Sequence, residues 1–230
     1  MKVLLVLVVV LLGLGVAADR VAVGVAESQV STRLGDSGAL HGRPQVDIKG
    51  FPFLTQAVGG RYDDVRIALT AAELGQPAGT RADVSLHGVH VPLSSVLSRS
   101  VRTVPVDRID GTATLPYALL SAHLGAGTTL VREGNGLRIT RTVEVLGQSF
   151  PLTAVGTLSL AGRDIVLHVQ KAAGVGVQVP SLVLDRAARL LGLRYAVPAL
   201  PLGLTLTSVR PGATGVDVGI GAKNAVLARQ

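Results

Sequence analysis

The chain opens on its longest apolar run. Met1 and Lys2 precede residues 3–18, which carry no charge, and the run stops at Asp19 and Arg20. A basic start, an apolar stretch and small residues at Gly15 and Ala17 form the anatomy of a signal peptide cleavable after Ala17. The same run is a little short of the roughly 18–20 residues that span a bilayer, but Val21, Ala22, Val23 and Val25 extend it past the charged pair, so an uncleaved anchor is the other reading. Both place residues 1–18 in an export or anchoring role. A buried core helix is disfavoured at an extreme terminus behind a lysine.

Beyond this run the period changes. Val23, Ala26, Val30 and Leu34 recur at helical spacing, with Glu27, Ser31 and Arg33 expected off that face, which predicts an amphipathic helix over 21–34 ending at Gly35. Val46 and Ile48 then alternate with Asp47 and Lys49, a strand closing at Gly50. Val65, Ile67 and Leu69 alternate with Asp64, Arg66 and Thr70 in a second strand that has one dry and one wet face. Further strands are predicted at 84–91, 137–145, 152–160, 165–169, 202–209 and 216–220. Two more helices are expected. Pro116 suits a first helical position before 117–124, and Ser181 suits the cap of 182–191, which Gly192 ends. Strands in runs, without alternation of strand and helix, point to an α+β domain with helices laid on an antiparallel sheet; residues 19–230 read as one such domain.

Composition narrows the partners. The 230 residues are 48% hydrophobic but only 3% aromatic, so the core is built of Val, Leu, Ile and Ala, with 28 Gly for turns. The absence of Cys removes disulfides and thiolate chemistry. A net charge of +7 favours anionic partners such as phospholipid headgroups. Nucleic acid is disfavoured, because the basic residues never form a run of four and three Phe, three Tyr and no Trp cannot build stacking platforms.

Catalytic patterns are weak. His87 and His90 are the only neighbouring histidines, and three residues apart on a strand they face opposite ways unless Gly88 makes a bulge, so a structural role is expected. His41, His123 and His168 have no evident partner. Ser149 lies in a Gly-Gln-Ser-Phe-Pro stretch between strands that lacks the second glycine of a nucleophile elbow. Asp63 and Asp64 are adjacent and should point apart. A hydrolase or glycosyltransferase therefore has no recognisable machinery, and no cofactor or metal is expected.

The most unusual segment is Gly50-Phe51-Pro52-Phe53-Leu54-Thr55-Gln56, where two of the three Phe flank a proline just after a strand. Either both rings plug the core, or one or both stand at the mouth of a lipid site. This block, followed by Gly59, Gly60, Arg61, Tyr62 and Val65, resembles the signature of the LmeA family, actinobacterial envelope proteins that bind phospholipid. Asp19, Arg20, Ala26, Glu27, Pro44, Val46, Ile48, Leu200, Pro201, Leu204, Ser208 and Val209 fit the same pattern.

The resemblance implies a tubular lipid-binding-like fold: a long helix packed on a strongly curved antiparallel sheet that encloses an apolar groove. It implies phospholipid ligands, phosphoinositides included, a membrane-surface partner, and a part in maturing mannose-rich lipoglycans such as lipomannan. Family catalytic residues do not exist to be carried over. The expected lipid-binding residues are Phe51, Pro52, Phe53, Leu54 and Gln56, with Lys49, Arg61 and Arg66 expected at the headgroup. The alternative reading is an envelope scaffold that binds an enzyme or polyanion through its basic surface. Oligomeric state is not legible.

Overall fold

In the computed structural model, which describes residues 2–38, 40–98, 100–125, 127–145, 148–174, 194–197 and 203–228, the apolar run and the amphipathic stretch behind it form one continuous helix, α1 (Lys2–Asp36). The helix is long and apolar enough to cross a membrane by length and composition. Residues 3–18 are exposed throughout, and burial begins at Asp19 and Val23. The predicted face of Val23, Ala26, Val30 and Leu34 is buried or half-buried. Glu27 and Ser31, expected elsewhere, share that face, since steps of four from Val23 lead to both. Glu27 accepts the Ile48 N–H at 2.8 Å, and Ser31 donates to the Pro44 carbonyl at 2.6 Å. These polar groups occupy backbone positions on the free edge of the first strand, where unpaired groups would otherwise invite another strand.

That strand is β1 (Gln45–Lys49). It is followed by α2 (Phe53–Gly59), β2 (Arg61–Thr70), α3 (Ala71–Leu74), β3 (Arg81–His90), α4 (Leu93–Leu97), β4 (Thr103–Pro116) and α5 (Tyr117–Leu124). Then come β5 (Thr129–Glu133), β6 (Gly136–Val145), β7 (Gln148–Ala161), β8 (Asp164–Gly174), β9 (Arg194–Ala196), β10 (Thr205–Pro211) and β11 (Gly215–Ala228). The strands form a six-stranded sheet in the order β1-β2-β3-β4-β11-β10 and a five-stranded sheet in the order β5-β6-β7-β8-β9. This is the expected α+β class, with a long N-terminal helix and antiparallel sheets, one strongly curved, as in tubular lipid-binding-like folds.

The chain divides into two compact units. The first comprises residues 1–76, 83–111 and 222–230. Here β1 and β2 pair with Val46 opposite Ile67 and Ile48 opposite Val65, so the predicted dry face is contiguous across the pair. Val46, Ile48, Val65, Leu86, Val89, Val106 and Ile109 are buried in this unit.

The second unit comprises residues 77–82 and 112–221. Its core is aliphatic: Leu137, Ile139, Leu152, Ala154, Ile165 and Leu167 from consecutive strands, with Leu120 from α5 and Val216 and Val218 from β11. Alternation places these side chains on one face because every second residue of a strand points the same way.

Most predicted strands fall inside observed ones, which generally run longer, while the one expected from 202 begins at Thr205. The helix over 117–124 forms as expected. Pro116 is its N-cap, with ψ at 145°, rather than its first helical residue. The helix predicted over 182–191, with Ser181 as its cap, lies outside the described residues.

Candidate functional site

The Phe-Pro-Phe block sits between the end of β1 and the start of α2. Pro52 is the N-cap of α2 and has no side-chain oxygen to accept the free N–H groups of the first turn. The acceptor comes from α1 instead. Asp19 Oδ1 takes the Leu54 N–H at 2.8 Å, and Oδ2 takes the Arg20 guanidinium at 2.7 Å. A carboxylate buried to this extent requires such partners to stay charged. Arg20 also lies over the Phe51 ring, 5.1 Å from its centroid, within cation–π reach.

The two phenylalanines divide the roles that sequence had left open for both. Phe53 is 6% exposed and packs its ring 5.9 Å from that of Tyr62, whose phenol is pushed up in pKa by burial. Phe51 is 63% exposed, and the Phe51–Pro52 peptide bond is cis. Along α2, Phe53 and Ala57 turn inward at a spacing of four, whereas Leu54 and Val58 turn outward. Gln56 sits beneath the turn. Its Nε2 donates to the Lys49 carbonyl at 3.3 Å and its Oε1 accepts the Asp63 N–H at 2.9 Å, joining the end of β1 to the start of β2.

The three expected headgroup cations are exposed, and each meets a carboxylate. Lys49 pairs with Asp47, and Arg66 with Asp64 at 2.9 Å. Arg61 reaches both Asp63 at 3.3 Å and Asp107 at 3.2 Å. Exposed pairs of this kind are weakly held and open to competition from another anion. Asp107 is the busiest acceptor. Hydrogen bonds from His90, at 2.9 Å, and then from Arg61 hold its carboxyl below the usual carboxylate pKa, against a smaller opposing effect of burial.

Gly88 makes room for that carboxylate. Its φ is +62°, and a Cβ there would lie 2.0 Å from Asp107 Oδ2. The backbone is thus left-handed at Gly88, the position where the sequence required a bulge only if His87 and His90 were to share a metal. His87 and His90 attend different carboxylates: His87 stands 3.8 Å from Asp64 and 3.5 Å from Asp110, while His90 serves Asp107. Among the described residues no three ligating side chains gather as a metal site would require. His168, for which the sequence suggested no partner, meets Ser159 Oγ at 2.8 Å. Ser149 lies in β7 opposite Glu144 of β6, a strand position rather than an elbow before a helix.

Sequence reasoning missed the role of Asp19 at this site, although it is the first acidic residue in the chain. It named Leu54 among the lipid-binding residues but missed the other outward apolar residues that accompany Phe51. Leu54 and Val58 on α2, with Leu93 and Leu97 on α4, are exposed. The two helices touch, with the Val91 N–H bonded to the Gly60 carbonyl at 2.9 Å between them.

A protein-family model described as LmeA-like phospholipid-binding matches residues 17–220, a span that opens two residues before Asp19 and takes in the whole of this site. No curated protein and no solved structure matches the chain.

Proposed function

Because this chain belongs to the LmeA-like phospholipid-binding family, we propose that it is an exported, non-catalytic protein that binds phospholipid at the cell envelope and supports lipoglycan maturation. Family membership supports the phospholipid ligand. The observation that carries the choice of site is the exposure of Phe51 beside buried Phe53. A large ring left in water next to outward Leu54 and Val58 has its most favourable partner in hydrocarbon.

In this reading Phe51, Pro52 and Leu54 meet the acyl region, Phe53 and Gln56 hold the turn that presents them, and Lys49, Arg61 and Arg66 meet the phosphate. Each cation exchanges a carboxylate partner for the headgroup when lipid arrives. Acyl chains lodge in an apolar groove. A methylene leaving water gains about 0.8 kcal/mol, but a chain leaving a bilayer is already in hydrocarbon. Transfer is therefore nearly neutral in free energy, and the headgroup decides preference. A groove walled by flexible aliphatic side chains adapts to chains of different length more readily than one walled by rigid rings.

Native mass spectrometry of the purified full chain, with lipid extraction from an actinobacterial host, tests the proposal. Near-stoichiometric phospholipid is the expected result. Folded protein that is empty and takes up no lipid from vesicles would overturn it in favour of an envelope scaffold.

A further inference from the structure

Beyond α1, two segments of the first unit that carry no charge stand out, residues 50–60 and residues 91–98. They lie against each other. The Gly60 carbonyl binds the Val91 N–H, and a Cβ on Gly60 would stand 3.1 Å from Pro92 Cα. From the first segment Phe51, Leu54 and Val58 face outward. From the second, Leu93 and Leu97 do so at a spacing of four, and Val58 and Leu97 are each 76% exposed. Uncharged segments with exposed large apolar side chains enter a lipid interface without burying an ion.

Beside α4 is an open cleft of about 360 Å³, lined by Pro92, Ser95, Ser100, Arg102, Thr103 and Pro105 among others. Arg102 is exposed and, unlike Lys49, Arg61 and Arg66, forms no ion pair or hydrogen bond with any described residue. A free guanidinium among hydroxyls offers the donors that a phosphate diester accepts.

The position of this surface follows from α1. The uncharged exposed run of that helix ends at Asp19, and the Asp19 carboxylate holds the first turn of α2. A membrane crossed by the apolar part of α1 would thus have its surface beside α2 and, through the Gly60–Val91 contact, beside α4.

We propose that α4 and the cleft behind it form a second lipid contact, in which Leu93 and Leu97 enter an anionic bilayer while Arg102 binds the phosphate of an anionic phospholipid. This rests on the phospholipid-binding reading above and adds to it a headgroup site outside the Phe-Pro-Phe block.

The chain has no Cys, so a single Leu97→Cys substitution in the full-length protein takes one environment-sensitive fluorophore. The protein is reconstituted with phosphatidylcholine vesicles, alone or mixed with phosphatidylglycerol, both containing the same fraction of spin-labelled phosphatidylcholine. In the mixed vesicles the probe should shift to the blue and be quenched. Arg102→Gln should reduce the quenching several-fold, Arg102→Lys should largely retain it, and circular dichroism should be unchanged in both. A Leu97 probe that stays aqueous, or quenching equal in both lipids and indifferent to Arg102, overturns the proposal. Bound phospholipid is read from the same preparations by native mass spectrometry. Lipid bound with an aqueous probe removes the α4 surface and leaves the proposed function standing; an Arg102-dependent probe signal without bound lipid does the reverse.

Discussion

Asp19 accepts the backbone N–H of Leu54 at 2.8 Å across 35 residues of chain, so the helix that carries the apolar N-terminus also caps the helix that follows the Phe-Pro-Phe turn. A proline N-cap cannot supply this acceptor, and a buried donor left without one is destabilising. Asp19→Ala should therefore lower the melting temperature and loosen the turn. Asp19→Asn, which keeps an acceptor oxygen but weakens the attraction to Arg20, should lower it less. Thermal unfolding of both variants in the same detergent checks the order.

Phe51 and Phe53 should respond oppositely to truncation. Phe53→Ala empties a buried site against Tyr62 and is expected to cost about 3–5 kcal/mol in urea unfolding. Phe51→Ser changes an exposed position and should stay within about 0.5 kcal/mol of the parent. Vesicle flotation should nevertheless weaken several-fold for Phe51→Ser, which would separate lipid contact from folding.

Gly88→Ala meets two obstacles, a left-handed backbone and an added Cβ 2.0 Å from Asp107. The Asp107 carboxylate can retreat only by leaving His90 or Arg61. Gly127 is also left-handed, at φ +76°, but a Cβ there meets nothing within 4 Å. Alanine at Gly127 should cost the conformational term alone, about 1–2 kcal/mol, and alanine at Gly88 measurably more. Denaturant midpoints of the two variants give the comparison.

Acid should remove the contribution of Asp107. His90 first and Arg61 second hold its folded pKa below the ordinary carboxylate value of about 3.9. A depressed carboxyl stabilises the fold above its unfolded pKa, and that stability is lost as pH falls through the folded value. The gap in melting temperature between the parent and Asp107→Asn should be full at about pH 5, begin to narrow as the pH falls through about 4, and close only below the depressed folded pKa, where both side chains are neutral. A gap unchanged down to the bottom of that window would mean that the carboxylate charge is not what the pair depends on.

The strands were legible where alternation is clean, as in β1 and β2, because period-two patterning reports a half-buried sheet directly. β4 was not foreseen. Its buried Val106 and Ile109 stand three apart with Asp107 and Arg108 between them, so the phase of alternation changes mid-strand, next to Pro105. α2 escaped for a different reason: seven residues ending in glycine hold too few turns for a helical period to declare itself.

At the site, the sequence by itself determined that something unusual stands at residues 50–56, that the chain begins with a segment suited to a membrane, and that no charge interrupts either stretch. Those are properties of composition and order along one dimension. Only the tertiary structure decided that Phe53 goes in while Phe51 stays out, that Asp19 holds Leu54, that Arg61 is shared between two carboxylates, and that Leu93 and Leu97 lie beside the Phe-Pro-Phe helix. Each of these depends on which partner reaches a group once distant segments are packed. Burial and hydrogen bonding are settled by neighbours in space, and for Asp19 the deciding neighbour is 35 residues away.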